Sequence, residues 1–394
     1  MEISSERILV MILCGGKGER LYPLTRDRAK PSVPFLGSYR IIDFSLSNSL
    51  NSGFRKIALL TQYKSLSLER HILYGWSIFH AESGGYIISL PAQGRVADHW
   101  YEGTADAVFQ NIYTVQQEKP DAILVLSGDH VYRADYRPVL KFMLERKAEA
   151  VIMAKTVDRA EAHRFGVVVV DEDQRITDFL EKPSSPPALP WDRHRTLISM
   201  GVYLFRTPAL IRALIDDAKS RKSSHDFGQD IIPRLIHKAG VFAYPFDGYW
   251  EDIGTIDAYW KANMAFLSET PPFVLDEASW PIRTYKPPLG PSFFKSADIR
   301  DSIVANGCLI HGATIAHSII SSGVRLAPGA KVEDSIVFEG VKIAAGARIR
   351  HAIIDKHAAI PARFAIGYSP KKDRQDFMIS DEGIRIVPKN WSHE

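Results

Sequence analysis

The sequence predicts an α/β protein in two parts: a mainly parallel sheet with helices on both faces, then a parallel β-helix. Three observations carry this. Through about the first 260 of 394 residues, short apolar runs alternate with segments of helical periodicity, the pattern of strands and covering helices. The stretch 270–291 then holds Pro271, Pro272, Pro281, Pro287, Pro288 and Pro291, a density that excludes a continuous helix or a central strand. Beyond it, aliphatic residues recur in three columns at a period of 16 to 17.

In the first part, the apolar runs 8–13, 56–61, 122–126 and 150–154 read as strands. Segments 44–52, 65–73, 105–117 and 136–146 read as helices between them. Residues 165–170 and 175–180, joined by Asp171-Glu172-Asp173-Gln174, read as a β-hairpin. The proline-rich stretch reads as a linker packed on a surface, with Trp280 and Tyr285 as its anchors. The expected divisions are 1–269, 270–292 and 293–394, the last including a C-terminal tail. In the last, Ile303, Ile319, Ile336 and Ile353 form one column; Ile310, Leu326, Ile343 and Ile360 a second; Ile315, Val332 and Ile349 a third. Three columns imply a three-sided coil with one inward aliphatic per side. Gly307, Gly312, Gly323, Gly329, Gly340 and Gly346 are the expected corners. His311, His317, His351 and His357 raise the alternative of an acyltransferase base, but lone histidines on coil faces are more simply structural or solvated.

Chemistry begins where the first strand ends. Ile8-Leu9-Val10-Met11-Ile12 runs directly into Leu13-Cys14-Gly15-Gly16-Lys17-Gly18-Glu19-Arg20-Leu21. Glycines let backbone N–H groups turn toward a ligand, and Lys17 and Arg20 add positive charge, so the loop reads as a polyphosphate cradle. No Gly-Lys-Ser/Thr closes it as in a P-loop, and the third glycine of the dinucleotide fingerprint is missing. Arg26-Asp27-Arg28-Ala29-Lys30-Pro31 brings further cations within a loop's reach. Asp129 follows the strand-like Ile123-Leu124-Val125-Leu126, and ligands of such sheets bind beyond the carboxyl ends of the strands. The glycine loop and Asp129 are therefore expected to share one crevice.

Composition narrows the class. Forty-nine basic and 46 acidic residues leave a formal charge of +3, which gives no general attraction to nucleic acid or to a membrane. Cys14 and Cys308 match no metal spacing and suit a reducing compartment. No signal-peptide pattern and no stretch of about 20 apolar residues is present, so the expected location is the cytoplasm.

Gly-Gly-x-Gly-x-Arg-Leu followed by Lys-Pro resembles the sugar-phosphate nucleotidyltransferases. Further blocks narrow the resemblance to the bacterial type of ADP-glucose pyrophosphorylase (glucose-1-phosphate adenylyltransferase). They include Arg40-Ile41-Ile42-Asp43-Phe44, Thr61-Gln62-Tyr63, Trp100-Tyr101-Glu102-Gly103-Thr104-Ala105-Asp106-Ala107, Ser127-Gly128-Asp129-His130 and Phe165-Gly166-Val167. Glu181-Lys182-Pro183, Ser199-Met200-Gly201, Ser224-His225-Asp226-Phe227-Gly228 and Tyr249-Trp250-Glu251-Asp252-Ile253-Gly254-Thr255 follow in the same order. The resemblance implies a Rossmann-like nucleotidyltransferase domain over 1–269 and a left-handed coil for the β-helix domain.

It also implies a reaction: ATP and glucose 1-phosphate give ADP-glucose and pyrophosphate, feeding glycogen (α-glucan) synthesis. A sugar phosphate is already a nucleophile, so such catalysis rests on in-line positioning and neutralised phosphate charge. By resemblance, Arg20 and Lys30 meet the triphosphate and pyrophosphate, and Asp129 and Asp252 hold Mg²⁺. Gly15, Gly16, Gly18, Gly103 and Thr104 bind the nucleotide, and Gln93 has the amide needed to read an adenine edge. Tyr101, Gly166, Glu181, Lys182, Ser199 and Asp226 bind glucose 1-phosphate. Gln62 and Trp100 match positions linked to communication with a regulatory site, and Arg28 and Arg40 match effector positions. The family further implies a homotetramer with anionic allosteric effectors. Two departures bear on these effectors. Asp27 stands where relatives activated by fructose 1,6-bisphosphate carry a lysine, and Pro34 replaces a histidine implicated in AMP inhibition. The competing readings are a nucleotidyltransferase for another NTP and a non-catalytic regulatory subunit. The latter predicts losses among Arg20, Lys30, Asp129 and Lys182, and all four are present.

Overall fold

The computed structural model describes residues 3–80, 82, 84–92 and 99–393. Its strands in the first part are β1 (Ile8–Cys14), β2 (Pro34–Phe35), β3 (Tyr39–Arg40), β4 (Lys56–Thr61), β5 (Tyr86–Pro91), β6 (Ala122–Ser127), β7 (His130–Tyr132), β8 (Ala150–Asp158), β9 (Gly166–Val170), β10 (Ile176–Glu181), β11 (Arg195–Arg206), β12 (Val241–Pro245) and β13 (Trp250–Asp252). Its helices are α1 (Ile42–Asn51), α2 (Leu66–Gly75), α3 (Thr104–Gln110), α4 (Ile112–Glu118), α5 (Arg137–Glu145), α6 (Thr207–Ala218), α7 (Ile232–Ile236) and α8 (Ile256–Met264).

A nine-stranded sheet runs in the order β10-β9-β11-β6-β1-β4-β5, with β8 and β12 joined through β11. The strands β6, β1, β4 and β5 are all parallel, as the alternating pattern predicts. β1 is buried on both faces, and its side chains divide with the period of 2 that a pleat imposes. Ile8, Val10 and Ile12 join a core with α1, α2 and α5, whereas Leu9 and Met11 join a second core with α3, α6 and α7. The other half of the sheet is joined by β11, which runs antiparallel to β6, β8 and β9. The hairpin expected at 165–180 is β9 and β10.

The single helix expected over 105–117 is broken in two. Asn111 leaves the helical region (φ −101°, ψ 17°), and its side-chain amide donates to the Ala107 carbonyl and to the Tyr101 hydroxyl. An asparagine whose amide bonds its own backbone competes with the helix ladder.

No regular element lies between Leu267 and Phe293. Trp280 is buried there and donates to Asn48, Arg283 donates its backbone N–H to Ser47, and Tyr285 packs on Tyr74. The anchors predicted for this stretch thus hold it against α1 and α2.

Three parallel sheets follow, consistent with a left-handed hexapeptide coil. Every predicted column is a true register: Ile303–Ile319–Ile336–Ile353, Ile310–Leu326–Ile343–Ile360 and Ile315–Val332–Ile349. One expectation is overturned. Ile319, Ile336 and Ile353 do not point into the coil but pack with Phe35, Tyr259 and Phe266 of the first part. The inward residues on that side are Ile320, Val337 and Ile354. Adjacent strand residues face opposite ways, so a side buried on both faces carries apolar residues at both, and spacing alone does not say which set is inside. The predicted glycine corners take positive φ, and His317, Asp334, His351 and His357 turn equivalent corners with φ from 45° to 59°.

Candidate active site

The carboxyl ends of β1, β4 and β6 lie side by side, with Cys14 opposite Thr61 and Leu13 opposite Ser127. The glycine loop leaves β1 at this edge. Gly18 turns it with φ +66°, and a Cβ there would lie 3.0 Å from Thr25 and 3.2 Å from Lys30. The loop borders a cavity of about 460 Å³ walled by Gly15, Gly16, Lys17, Lys30, Gln62, Tyr101, Gly103 and Thr104 among others. Gly103 passes so close to the His225 carbonyl that a Cβ would sit 2.2 Å from it. Lys17 lies over the Tyr63 ring (5.8 Å), which stacks on the exposed Trp100 (5.4 Å). Gln93 lies outside the described residues.

The two aspartates expected to hold a metal meet through a short antiparallel ladder in which Asp252 of β13 pairs with His130 of β7, next to Asp129. Lys30 Nζ donates to Asp129 Oδ2 (2.6 Å) and to Asp252 Oδ1 (3.3 Å). Ser127 Oγ also donates to Asp129. Burial alone would raise the Asp129 pKa, but Lys30 and His130 hold it well below the usual carboxylate range. Burial would lower that of Lys30, and the two carboxylates more than reverse this. Ligand atoms of Asp129, His130 and Asp252 all lie within 4.8 Å of one another. Two carboxylates converging on one point are a donor set suited to a hard divalent ion. Arg20 walls neither cavity, but its guanidinium lies beside Gly254 at the edge of Asp252.

On the other side of these aspartates is a second cavity of about 220 Å³, walled by Gly166, Glu181, Lys182, Ser199, Asp226 and Asp252 among others. Glu181 stands opposite Gly166 across the β9–β10 hairpin. Lys182 Nζ donates to Glu181 Oε1 at 2.7 Å. Asp226 accepts from the N–H groups of Gly228 and Gln229 and from the Thr104 hydroxyl, which fixes its carboxylate at the mouth of both cavities. Leu13, Thr104, Ser127 and Asp226 wall both. Tyr101, expected at the sugar phosphate, lines the first cavity, where its hydroxyl donates to Leu90 and accepts from Asn111. Sequence reasoning left Trp250 and His130 without a role. Both wall the second cavity, and Trp250 Nε1 and His130 Nδ1 are buried with no partner among the described residues. Their presence in the quoted blocks was the only signal.

A third cavity, of about 370 Å³, opens between the two parts of the molecule. Arg28, Arg40, Arg70, Lys356, His357 and Lys389 line it, with Asp27 and Glu339 as the acids. Burial and the nearby Arg40 push Lys356 down to about 8, against the pull of Glu339. Arg28, expected as an effector cation, lines this cavity too, and its guanidinium makes a two-pronged ion pair with Asp355 and a bond to the Leu24 carbonyl. Arg70, Lys356 and His357 were not singled out for this cavity, since they are far apart in sequence and carry no motif.

Residues 9–269 match the nucleotidyl transferase family, and residues 294–387 match the GlmU-like C-terminal hexapeptide family. The chain is 51% identical to glucose-1-phosphate adenylyltransferase 2 of Vibrio vulnificus (strain CMCP6), over 98% of this chain and 99% of that protein. It is 45% identical to glucose-1-phosphate adenylyltransferase of Methylococcus capsulatus (97% and 93% covered) and 42% identical to that of Koribacter versatilis (98% and 96% covered).

Proposed function

The chain belongs to the glucose-1-phosphate adenylyltransferases, and from that premise we propose which of its residues carry the reaction. The reaction is adenylyl transfer from ATP to α-D-glucose 1-phosphate, giving ADP-glucose and pyrophosphate. The observation that carries the assignment is the common wall: two cavities, one at the glycine loop and one at Glu181–Lys182, meet at Asp226 and Ser127.

Gly15, Gly16, Gly18, Gly103 and Thr104 form the nucleotide wall, and Tyr101 belongs with them. Arg20 and Lys30 take the triphosphate and the departing pyrophosphate. Lys182 takes the sugar phosphate as a point charge, while Glu181, Ser199, Asp226 and the Gly166 backbone fix the sugar. A phosphate oxygen of the sugar phosphate attacks the α-phosphorus. The new O–P bond forms as the bond to pyrophosphate breaks, and no side chain needs to remove a proton. Asp129 and Asp252 are the residues that would hold Mg²⁺, which when bound supplies charge neutralisation at phosphate oxygens. Positioning and charge therefore do the work.

The third cavity is the proposed site for an anionic allosteric effector, with Arg40, Arg70, Lys356 and His357 as its cations. Gln62 and Trp100, beside the glycine loop and Tyr63, are the proposed relay to the nucleotide wall. The assembly is a homotetramer in the cytoplasm, feeding glycogen synthesis. No helix of the described residues is long and apolar enough to cross a membrane.

One assay tests the reading: pyrophosphate release with glucose 1-phosphate and each of ATP, UTP, dTTP and GTP in turn, with light scattering for the particle mass. Release confined to ATP is expected. Release with another NTP moves the base specificity, and none at all favours the non-catalytic subunit.

A further inference from the structure

The second cavity presents a charge problem. Glu181, Asp226 and Asp252 contribute three carboxylates to its wall. Lys182, the proposed partner of the sugar phosphate, already gives its Nζ to Glu181 at 2.7 Å. A phosphate dianion entering this wall needs a cation that no carboxylate has already taken.

Arg164 is such a cation. It walls the same cavity, next to Phe165 and Gly166. Among the described residues its guanidinium makes no hydrogen bond or ion pair, and it rests over the Phe165 ring with 5.2 Å to the centroid. Its backbone is anchored. Arg164 ends the 3₁₀ turn Arg159–Arg164, whose Ala162 is buried and whose carbonyl accepts from the Phe165 N–H. The Phe165 carbonyl in turn accepts from the Lys182 N–H at 3.1 Å, one step beyond the Glu181–Gly166 pair of the hairpin. Arg164 and Lys182 are thus held just outside the paired ends of β9 and β10, at one rim of the cavity. Arg164 also acts at a distance on the half-buried Glu251, drawing down a carboxyl that burial raises.

We infer that Arg164 is a second phosphate-binding residue of the sugar-phosphate pocket, gripping the anion beside the Glu181-bound lysine. A planar guanidinium offers two parallel N–H donors to a phosphate, and stacking on Phe165 restricts its rotamers before the ligand arrives. The inference rests on the reading of this cavity as the glucose 1-phosphate site.

The test is steady-state kinetics of Arg164→Ala and Arg164→Lys beside the wild type, varying each substrate, with melting temperature as a fold control. Arg164→Ala should raise the KM for glucose 1-phosphate about five- to tenfold, leave kcat and the KM for ATP within twofold, and flatten the salt dependence of the former. Arg164→Lys should recover part of the loss. A KM for glucose 1-phosphate within twofold of wild type would make Arg164 a solvated surface cation and overturn the inference. An equal rise in both KM values would also overturn it, by placing Arg164 outside this pocket. A wild-type enzyme that does not use glucose 1-phosphate would instead sink the reading beneath it.

Discussion

Arg28 and Asp355 form a two-pronged ion pair, at 3.1 and 2.8 Å, between residues 327 apart in sequence, and each side chain is only 3% exposed. The pair ties the loop after the phosphate cradle to the β-helix. Removing one partner strands a buried charge, at a cost of about 3–5 kcal/mol. Arg28→Ala should therefore lower the calorimetric melting temperature by several degrees. Joint replacement by Arg28→Met and Asp355→Leu should restore much of it. An unchanged melt for the single variant would remove this pair from the account of the junction.

Ile336 lies on the outward column that packs against Phe35 and Tyr259. Truncation of a buried isoleucine costs about 2–5 kcal/mol. Ile336→Ala should destabilise the protein by that order in a urea titration. The neighbouring exposed Lys342→Ala should change little, and equal effects would argue against the docked face.

Asp129 holds both Lys30 and the proposed metal ion. Asp129→Asn keeps the shape and the Ser127 partner but removes the charge. Turnover at saturating Mg²⁺ should fall by orders of magnitude with an unchanged circular dichroism spectrum. A variant that kept most of its turnover would end the metal-site assignment.

Lys182 is exposed and, among the described residues, its ion pair is with its neighbour Glu181. A charge-assisted bond to phosphate is worth about 1.5–3 kcal/mol, so Lys182→Ala should raise the KM for glucose 1-phosphate about tenfold or more. The KM for ATP should move far less. Parallel changes would take Lys182 out of the sugar-phosphate site.

The third cavity carries a pH signature. Lys356, displaced from 10.5 to about 8, is a cation below pH 8 and becomes neutral above it. Anion binding should therefore weaken between pH 7 and pH 9, and Lys356→Arg should abolish that dependence. Asp27 faces the same cavity and repels a bisphosphate, so fructose 1,6-bisphosphate should activate poorly and Asp27→Lys should improve it. Titration with fructose 1,6-bisphosphate, fructose 6-phosphate, glucose 6-phosphate, pyruvate and 3-phosphoglycerate checks both. Strong activation of the unaltered enzyme by fructose 1,6-bisphosphate would refute the role given to Asp27.

Much of the chemistry was legible because it is local. A strand followed by Gly15-Gly16-Lys17-Gly18, or an aspartate after β6, announces itself within a dozen residues, since backbone geometry and side-chain charge are set by near neighbours. The repeat of 16 to 17 residues likewise appears in the chain because each coil stacks on the next in register. What the chain does not display is partnership across distance. Arg28 matches an effector position, and only the fold shows that its guanidinium is paired with Asp355. Tyr101 belongs to a block that resembles a sugar-binding one, yet Leu90 and Asn111 hold its hydroxyl in the glycine-loop cavity.

The sequence by itself determined two architectures, their order, the crevice at the strand ends and the residue types that meet phosphate. These follow from periodicity and local charge, which survive in any context. Tertiary structure alone decided which face of the Ile319–Ile336–Ile353 column is inside, that Asp252 stands beside Asp129, and that Arg70, Lys356 and His357 face one cavity. Those outcomes depend on packing between segments hundreds of residues apart, where burial and counter-charge come from whatever the fold brings near.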